Sequence, residues 1–302
     1  KFVINTVCAG CLCILGILGN SLSCLVLRKD KDTPVASFLL QALALTDTFF
    51  LCTWLAHFSL DDLFNYLHVS REFRYHWWLV RLFTYPLLFI GQTATIWMTV
   101  LIAVSRFIAV CKPYKAVQYC TLISIRKAVI CVITASLVYN LPRFFENKLV
   151  TDTKNGTVKG PYTRTEFADT RAYNTVYFDI MYYIFIFVMP LMLLATLNMK
   201  LTIAYRSIQQ RRNSMRGIGR REFMDNNITL VMIIVVLVFM LCNAPARLVQ
   251  IIWNYRRHRC LSANFFLQEI SIVLEVFNSS ANFIIYCAFR KQFRLILQSS
   301  FC

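Results

Sequence analysis

Seven apolar runs, each about long enough to cross a lipid bilayer, constrain this chain more tightly than anything else in it. They cover residues 2–27, 35–58, 82–104, 128–142, 179–199, 228–247 and 270–288. A hydrocarbon core about 30 Å thick is crossed by about 20 helical residues. Backbone groups in lipid have no water to pair with, so each run must close its own hydrogen bonds as a helix. The run at 128–142 is short and is expected to extend back to 122. With flanks added, helices are expected at about 2–28, 34–58, 77–111, 122–143, 173–209, 222–255 and 264–287. A surface helix should follow at 289–298, where Phe289, Phe293, Ile296 and Leu297 share a face that Arg290, Lys291 and Arg294 avoid. The fold class is an all-α membrane protein: a seven-transmembrane helix bundle with a short amphipathic eighth helix. It forms one domain over 1–302, with no internal repeat.

Charge places the two ends of the bundle. Only 16% of residues are charged, against about a quarter in soluble domains. The net charge of +17 is uneven: with the amino terminus outside, inner segments hold 18 of the 32 basic residues and four acids, Asp30, Asp32, Glu222 and Asp225. Lysine and arginine excess marks the cytoplasmic side, so the chain is expected to be a multi-pass plasma-membrane protein with its amino terminus outside. The charge is spread over membrane flanks rather than gathered on one domain, which excludes nucleic acid as a partner and leaves the lipid bilayer as one. The first residue stands at the edge of the first run, as in a fragment whose natural tail lies outside the sequence.

Of the 12 cysteines, Cys24, Cys52, Cys131, Cys242 and Cys287 lie inside runs and read as packing residues. Cys260 and Cys8 face the oxidising side, where a bridge between them is one option. Cys302 follows the amphipathic stretch as a palmitoylation candidate, a free thiol being the alternative. Asn155-Gly156-Thr157, in the long segment 143–173, is a glycosylation sequon that agrees with an outside location. Within the same segment 158–167 alternates as a hairpin would.

Asp47 is the one acid in the inner halves of the runs, and an intramembrane carboxylate is a functional candidate by default. Ser105-Arg106-Phe107 ends the third run, and Pro245 in Cys242-Asn-Ala-Pro245 kinks the sixth helix. With Gly19-Asn20 and Asn278-Ser-Ser-Ala-Asn-Phe-Ile-Ile-Tyr286, these residues make the chain resemble the class A (rhodopsin-like) G-protein-coupled receptors over nearly its whole length. The resemblance implies a receptor that activates a heterotrimeric G protein and is not an enzyme. It implies no cofactor beyond an allosteric sodium ion held by Asp47, Thr95, Asn278, Ser279 and Asn282, with Asn20 nearby. A protonated Asp47 in a watered polar network is the alternative. The resemblance also assigns an activation switch to Ile96, Pro190, Phe239, Pro245 and Tyr286, and an inactive-state lock to Arg106 with Asp225. It places Arg106, Asn198, Arg220, Arg221 and Arg290 at the G-protein contact.

Several positions depart from the family pattern. Ser105 replaces the acid before the arginine, Asn243 the tryptophan before Pro245, Phe283 the proline after Asn282, and Asn198 a tyrosine. The family ties the top of the third helix to the second outer loop by a disulfide. Here Arg81 stands at the helix position and 143–173 contains no cysteine, so the loop is expected to be held by Glu146 or Asp169 on Arg81.

Gln92-Thr-Ala-Thr-Ile-Trp97, Asn140-Leu-Pro-Arg-Phe-Phe-Glu146 and the Asn278–Tyr286 string resemble the invertebrate FMRFamide-type neuropeptide receptors. That resemblance implies a short peptide ligand ending in Arg-Phe-amide. The candidate pocket is Glu269, Glu275, Arg247, Asp179, Gln92, Phe89, Tyr85, Asn243, Trp253 and Phe266, with acids for the arginine, rings for the phenylalanine and amides for the carboxamide. Arg247 and Glu275 pairing with each other is the simpler reading of those two charges. Leu88, where amine receptors carry an aspartate, disfavours a monoamine. The alternative is a chemoreceptor or receptor for a small anion held by Arg247, Arg81 and Arg143. A transporter would show inverted repeats and more midplane charge.

Overall fold

The computed structural model describes residues 2–149, 162–214, 220–255 and 261–301; the side chains at 5, 71, 209, 211–228, 246, 247, 249–269 and 301 lie outside that description. Among the described residues, five helices are long and apolar enough to cross a membrane: Thr6–Lys29 (α1), Pro34–Tyr66 (α2), Glu72–Cys111 (α3), Leu122–Phe145 (α4) and Tyr173–Ile208 (α5). Arg220–Tyr255 (α6) carries the shorter apolar stretch Thr229–Pro245. The seventh span, α7, is in two segments, Leu261–Ser280 and Asn282–Phe289, bent by 47° at Ala281. Lys291–Phe301 (α8) follows after a single residue, Arg290.

Local sequence explains several ends. Pro34 starts α2, where a missing amide costs nothing. Ser70 caps the third helix, which runs from Arg71, by accepting from Phe73 N at 3.3 Å. The segment 61–76, which falls between the expected helices 34–58 and 77–111, is therefore mostly helical, with only 67–70 outside a helix. The expected 158–167 hairpin is also corrected: Tyr162–Arg164 pairs antiparallel with Asn147–Leu149 instead, and Phe167 sits in the helical turn Glu166–Asp169. Residues 150–161, with Asn155, lie outside the described residues, as do Cys260 and Cys302. Cys8 is an exposed free thiol.

α3 lies inside the bundle, in contact with α2, α4, α5 and α6, while α7 closes the ring against α1, α2 and α6. Side chains such as Leu15, Leu25, Ile130, Ile203 and Leu241 face outward. An apolar exterior of this kind suits lipid, not water. α8 folds back beneath the bundle, with Phe293 buried against Phe283 and Tyr286 at ring distances of 5.9 and 5.7 Å.

α1 reaches α2 and α7 closely because of Gly16. A β-carbon there would meet Leu51 Cδ1 at 2.7 Å and Ser280 Cβ at 2.8 Å, and Ser280 Cβ, next to its backbone, can give way only if α7 shifts. Overpacking of this kind costs about 1–3 kcal/mol, so Gly16→Ala should lower the thermal midpoint of the purified protein in detergent by several degrees. An unchanged midpoint would place α1 further from α7.

Candidate ligand pocket and signalling core

The bundle interior carries three polar clusters, one near each end and one midway. The central cluster surrounds Asp47, which is fully buried. Its Oδ1 accepts from Thr95 Oγ1 at 3.0 Å, and its Oδ2 accepts from Asn282 Nδ2 at 2.6 Å. Asn20 donates to the Ser279 carbonyl at 3.0 Å, and its own Oδ1 is buried with no hydrogen-bond partner. Asn278 and Ser279 line the cavity above, of about 220 Å³, together with Thr95 and Gln92. Every residue expected around a sodium ion is thus gathered in one place. The donor set is one carboxylate with hydroxyl and amide oxygens, including an unpartnered one, and that chemistry fits a hard monovalent cation. Among the described residues there is no group of three or more His, Cys, Asp or Glu that would suit a transition metal.

The same cavity extends toward the amino-terminal end of the bundle, where Gln92 Nε2 donates to Glu275 Oε2 at 2.8 Å. Phe50, Ile96, Phe239 and Asn243 complete its wall. Glu275 and Gln92, both named from sequence as pocket candidates, are therefore hydrogen-bonded to each other. Tyr85 and Phe89 stack edge to face at 5.0 Å nearby on α3. Asn243 Nδ2 donates to its own helix at Phe239 O, 3.0 Å. Asp179 is half-buried on α5. The side chains of Glu269, Arg247, Trp253 and Phe266 lie outside the described residues.

At the amino-terminal end the sequence expectation fails. Arg81 does not hold Glu146 or Asp169. It pairs with Asp61 at 2.8 Å and reaches His57 Nε2 at 3.4 Å, because α2 continues far enough to bring both alongside α3. Asp169 instead pairs with Arg164 at 3.3 Å. Glu146 turns inward to Arg143 Nη1 at 3.7 Å, and the Arg143 guanidinium lies 3.7 Å from the centroid of Phe89. Arg143 is 2% exposed. This cluster was missed as a unit, although the spacing Asn140-x-x-Arg143-x-x-Glu146 puts three polar residues one turn apart and signals a common face.

A second cavity of about 240 Å³ shares Ile96, Phe239 and Asn243 with the first and is also lined by Pro190. Three of the five residues expected as a switch therefore border one hollow. Pro245 lies within α6. Tyr286 is fully buried, and its hydroxyl has no hydrogen-bond partner; the same holds for Asn198 Oδ1. Arg106 is buried beside Cys120, whose thiol is pushed up by burial and pulled back by the Arg106 charge. The side chains of Asp225, Arg220 and Arg221 lie outside the described residues.

Arg290 corrects another expectation. It is not presented on an outer rim: it is 2% exposed, and Nη2 pairs with Asp30 Oδ2 and bonds Thr33 Oγ1 at 3.0 Å and Ser37 Oγ at 3.1 Å. The single residue between α7 and α8 forces the chain to turn there, which carries the guanidinium under the α1–α2 corner. Burial lowers the Arg290 pKa, and Asp30 opposes that shift. Removing one partner of a buried pair leaves the other charge uncompensated, a loss of about 3–5 kcal/mol. Asp30→Asn should accordingly lower the thermal midpoint far more than Asp32→Asn, measured side by side.

A family model described as 7 transmembrane receptor (rhodopsin family) matches residues 19–286. The FMRFamide receptor of Drosophila melanogaster is 28% identical over 286 residues, covering 94% of this chain and 51% of that protein. The FMRFamide peptide receptor frpr-18 of Caenorhabditis elegans is 26% identical over 290 residues, covering 94% and 66%. The Sex peptide receptor of Drosophila melanogaster is 27% identical over 310 residues, covering 95% and 70%. The chain thus spans about half to two thirds of the length of the first two of these relatives. With the family match running from α1 to the end of α7 over the clusters just described, the chain belongs to the rhodopsin family of seven-transmembrane receptors.

Proposed function

We propose that the protein is a plasma-membrane receptor, amino terminus outside, for a short neuropeptide ending in Arg-Phe-amide, and that it activates a heterotrimeric G protein. The observation that carries this reading is the part-buried Gln92–Glu275 pair, an acid and an amide lining a cavity that also reaches Thr95 and Ser279 beside Asp47. A ligand guanidinium would take the Glu275 carboxylate, and Gln92 would be released toward the carboxamide. The names of the relatives support the peptide class. The anion reading loses two of its three arginines, since Arg81 is paired with Asp61 and Arg143 with Glu146.

In this mechanism the peptide binds the active arrangement better than the inactive one, and only that difference moves the population. Shifting 1:99 to 99:1 needs about 5.5 kcal/mol of preference. α6 pivots at Pro245, Phe239 repacks against Ile96 and Pro190, and Arg106 parts from Asp225. The Tyr286 hydroxyl and Asn198 Oδ1, unsatisfied in this arrangement, gain partners as the carboxy-terminal end opens. Sodium bound at Asp47 favours the closed arrangement. Asn155 carries a glycan and Cys302 a palmitoyl group in this reading.

Calcium and cAMP responses of expressing cells to Phe-Met-Arg-Phe-amide and to its free acid test the ligand. A response lost with the free acid is expected, and silence at confirmed surface expression would sink the peptide reading. Glu275→Gln removes the charge that meets arginine and should raise the half-maximal concentration by about tenfold or more. Replacing sodium by choline should tighten agonist binding in the native receptor and have no effect in Asp47→Asn. Equal sodium sensitivity in both would dismiss the ion site.

A further inference from the structure

The relatives' fold normally ties the top of α3 to the following outer loop through a covalent bond that this chain cannot make, since Arg81 occupies the helix position and 143–173 lacks cysteine. We propose that Arg143 and Glu146 replace it as positioning residues: a buried charge cluster holds the loop, α3, α4 and α5 in register around the ligand pocket, independently of thiol oxidation. This rests on the peptide-receptor reading for its functional consequence, though not for its structural one.

The geometry gives each residue contacts on several elements. Glu146 Oε1 accepts from Tyr85 Oη on α3 at 3.4 Å, and Oε2 accepts from Tyr173 Oη on α5 at 3.2 Å. Its backbone carbonyl accepts from Thr165 N at 3.0 Å, which continues the pairing of Asn147–Leu149 with Tyr162–Arg164. Arg143 Nε donates to Asn140 Oδ1 at 3.2 Å, and Asn140 Nδ2 donates to Thr93 Oγ1 on α3 at 3.0 Å. Above Arg143 lie the rings of Phe89 at 3.7 Å, Tyr177 and Phe178 at 5.6 Å, and Tyr182 at 5.9 Å. A guanidinium enclosed by aromatic faces gains most when desolvated. A second tie comes from Arg81, whose guanidinium lies over the Tyr162 ring at 5.8 Å.

Burial makes the cluster decisive. Arg143 is 2% and Glu146 4% exposed, so neither charge is screened by water. A buried ion pair adds little net stability over an apolar replacement, but losing one member strands the other. Rearranging such a cluster means separating buried charges from their partners, and that cost is what a positioning device requires. It also fixes two candidate ligand contacts: Phe89 lies under the guanidinium and Tyr85 donates to the carboxylate.

The test uses the whole receptor, with and without the membrane-impermeant reductant TCEP. Amide hydrogen exchange over 141–149 and 162–170 reads the loop without any ligand. Wild-type exchange should be unchanged by reductant. In Glu146→Gln it should rise by about tenfold or more, because the Arg143 charge is left uncompensated. Tyr173→Phe, which deletes one hydroxyl and is the safer variant for folding, should show a smaller rise in the same segments. At matched surface expression, Glu146→Gln should raise the half-maximal concentration of Phe-Met-Arg-Phe-amide and keep the maximal response. Arg143→Lys, which retains the cation over the rings, should recover most of the potency lost in Arg143→Met. Reductant-accelerated exchange in the wild type, or wild-type exchange in both Glu146→Gln and Tyr173→Phe, would overturn the proposal. A wild-type receptor inert to the peptide would sink the ligand reading alone, leaving the exchange result to decide this one.

Discussion

The carboxylate of Asp47 must be held by helices other than its own, and much of the bundle follows from that. A charged or polar group removed from water costs several kcal/mol unless its hydrogen bonds are supplied. Here Thr95 supplies one from α3 and Asn282 one from α7, which fixes the rotation of both helices against α2. The break in α7 belongs to the same arrangement. Bending at Ala281 brings Asn282 to the carboxylate, while the Ser279 carbonyl accepts from Asn20 on α1. One buried acid thus relates four helices, and the close passage of α1 at Gly16 allows the fourth to reach it.

The other two polar clusters act in the same way at the ends. Asp30 and Arg290 join the turn after α1 to the turn before α8, and Arg143 and Glu146 join α4 to α3 and α5. Alongside them Ile96, Val100, Leu194, Val236 and Phe239 pack into an apolar part of the interior. Apolar contacts tolerate sliding, whereas hydrogen-bonded charges do not. The bundle is therefore pinned by polar contacts at discrete levels and filled by apolar packing elsewhere.

Sequence alone exposed the elements that depend on local pattern. Apolar runs marked the spans because the lipid requirement acts on each run separately. The Asp47 partners were readable because Asn278, Ser279 and Asn282 lie within about one helical turn of one another, and a buried acid must find donors. Partner choice between helices was not readable. Arg290 looked like a basic flank and is a buried ion, since its fate depends on the path of a one-residue link. Sequence offers Glu146 or Asp169 to Arg81 only because the family's disulfide is missing there and the loop needs another tie. Only the length of α2, which brings Asp61 beside Arg81, shows that each was already engaged elsewhere.

Asn243 draws the pocket and the switch into one argument. It stands where the family places a tryptophan, and it borders both hollows, of about 220 and 240 Å³. Ile96 and Phe239 form the partition between them, polar on the Gln92–Glu275 side and apolar on the Pro190 side. In a close-packed interior a large side chain has nowhere to go, so states are separated by repacking. Phe239 lines both hollows, and the Asn243 amide donates back to its own helix at Phe239 O. Any displacement of Glu275 or Gln92 changes the polar hollow directly, and Ile96 and Phe239, which line both hollows, are the side chains that adjoin it on the other side.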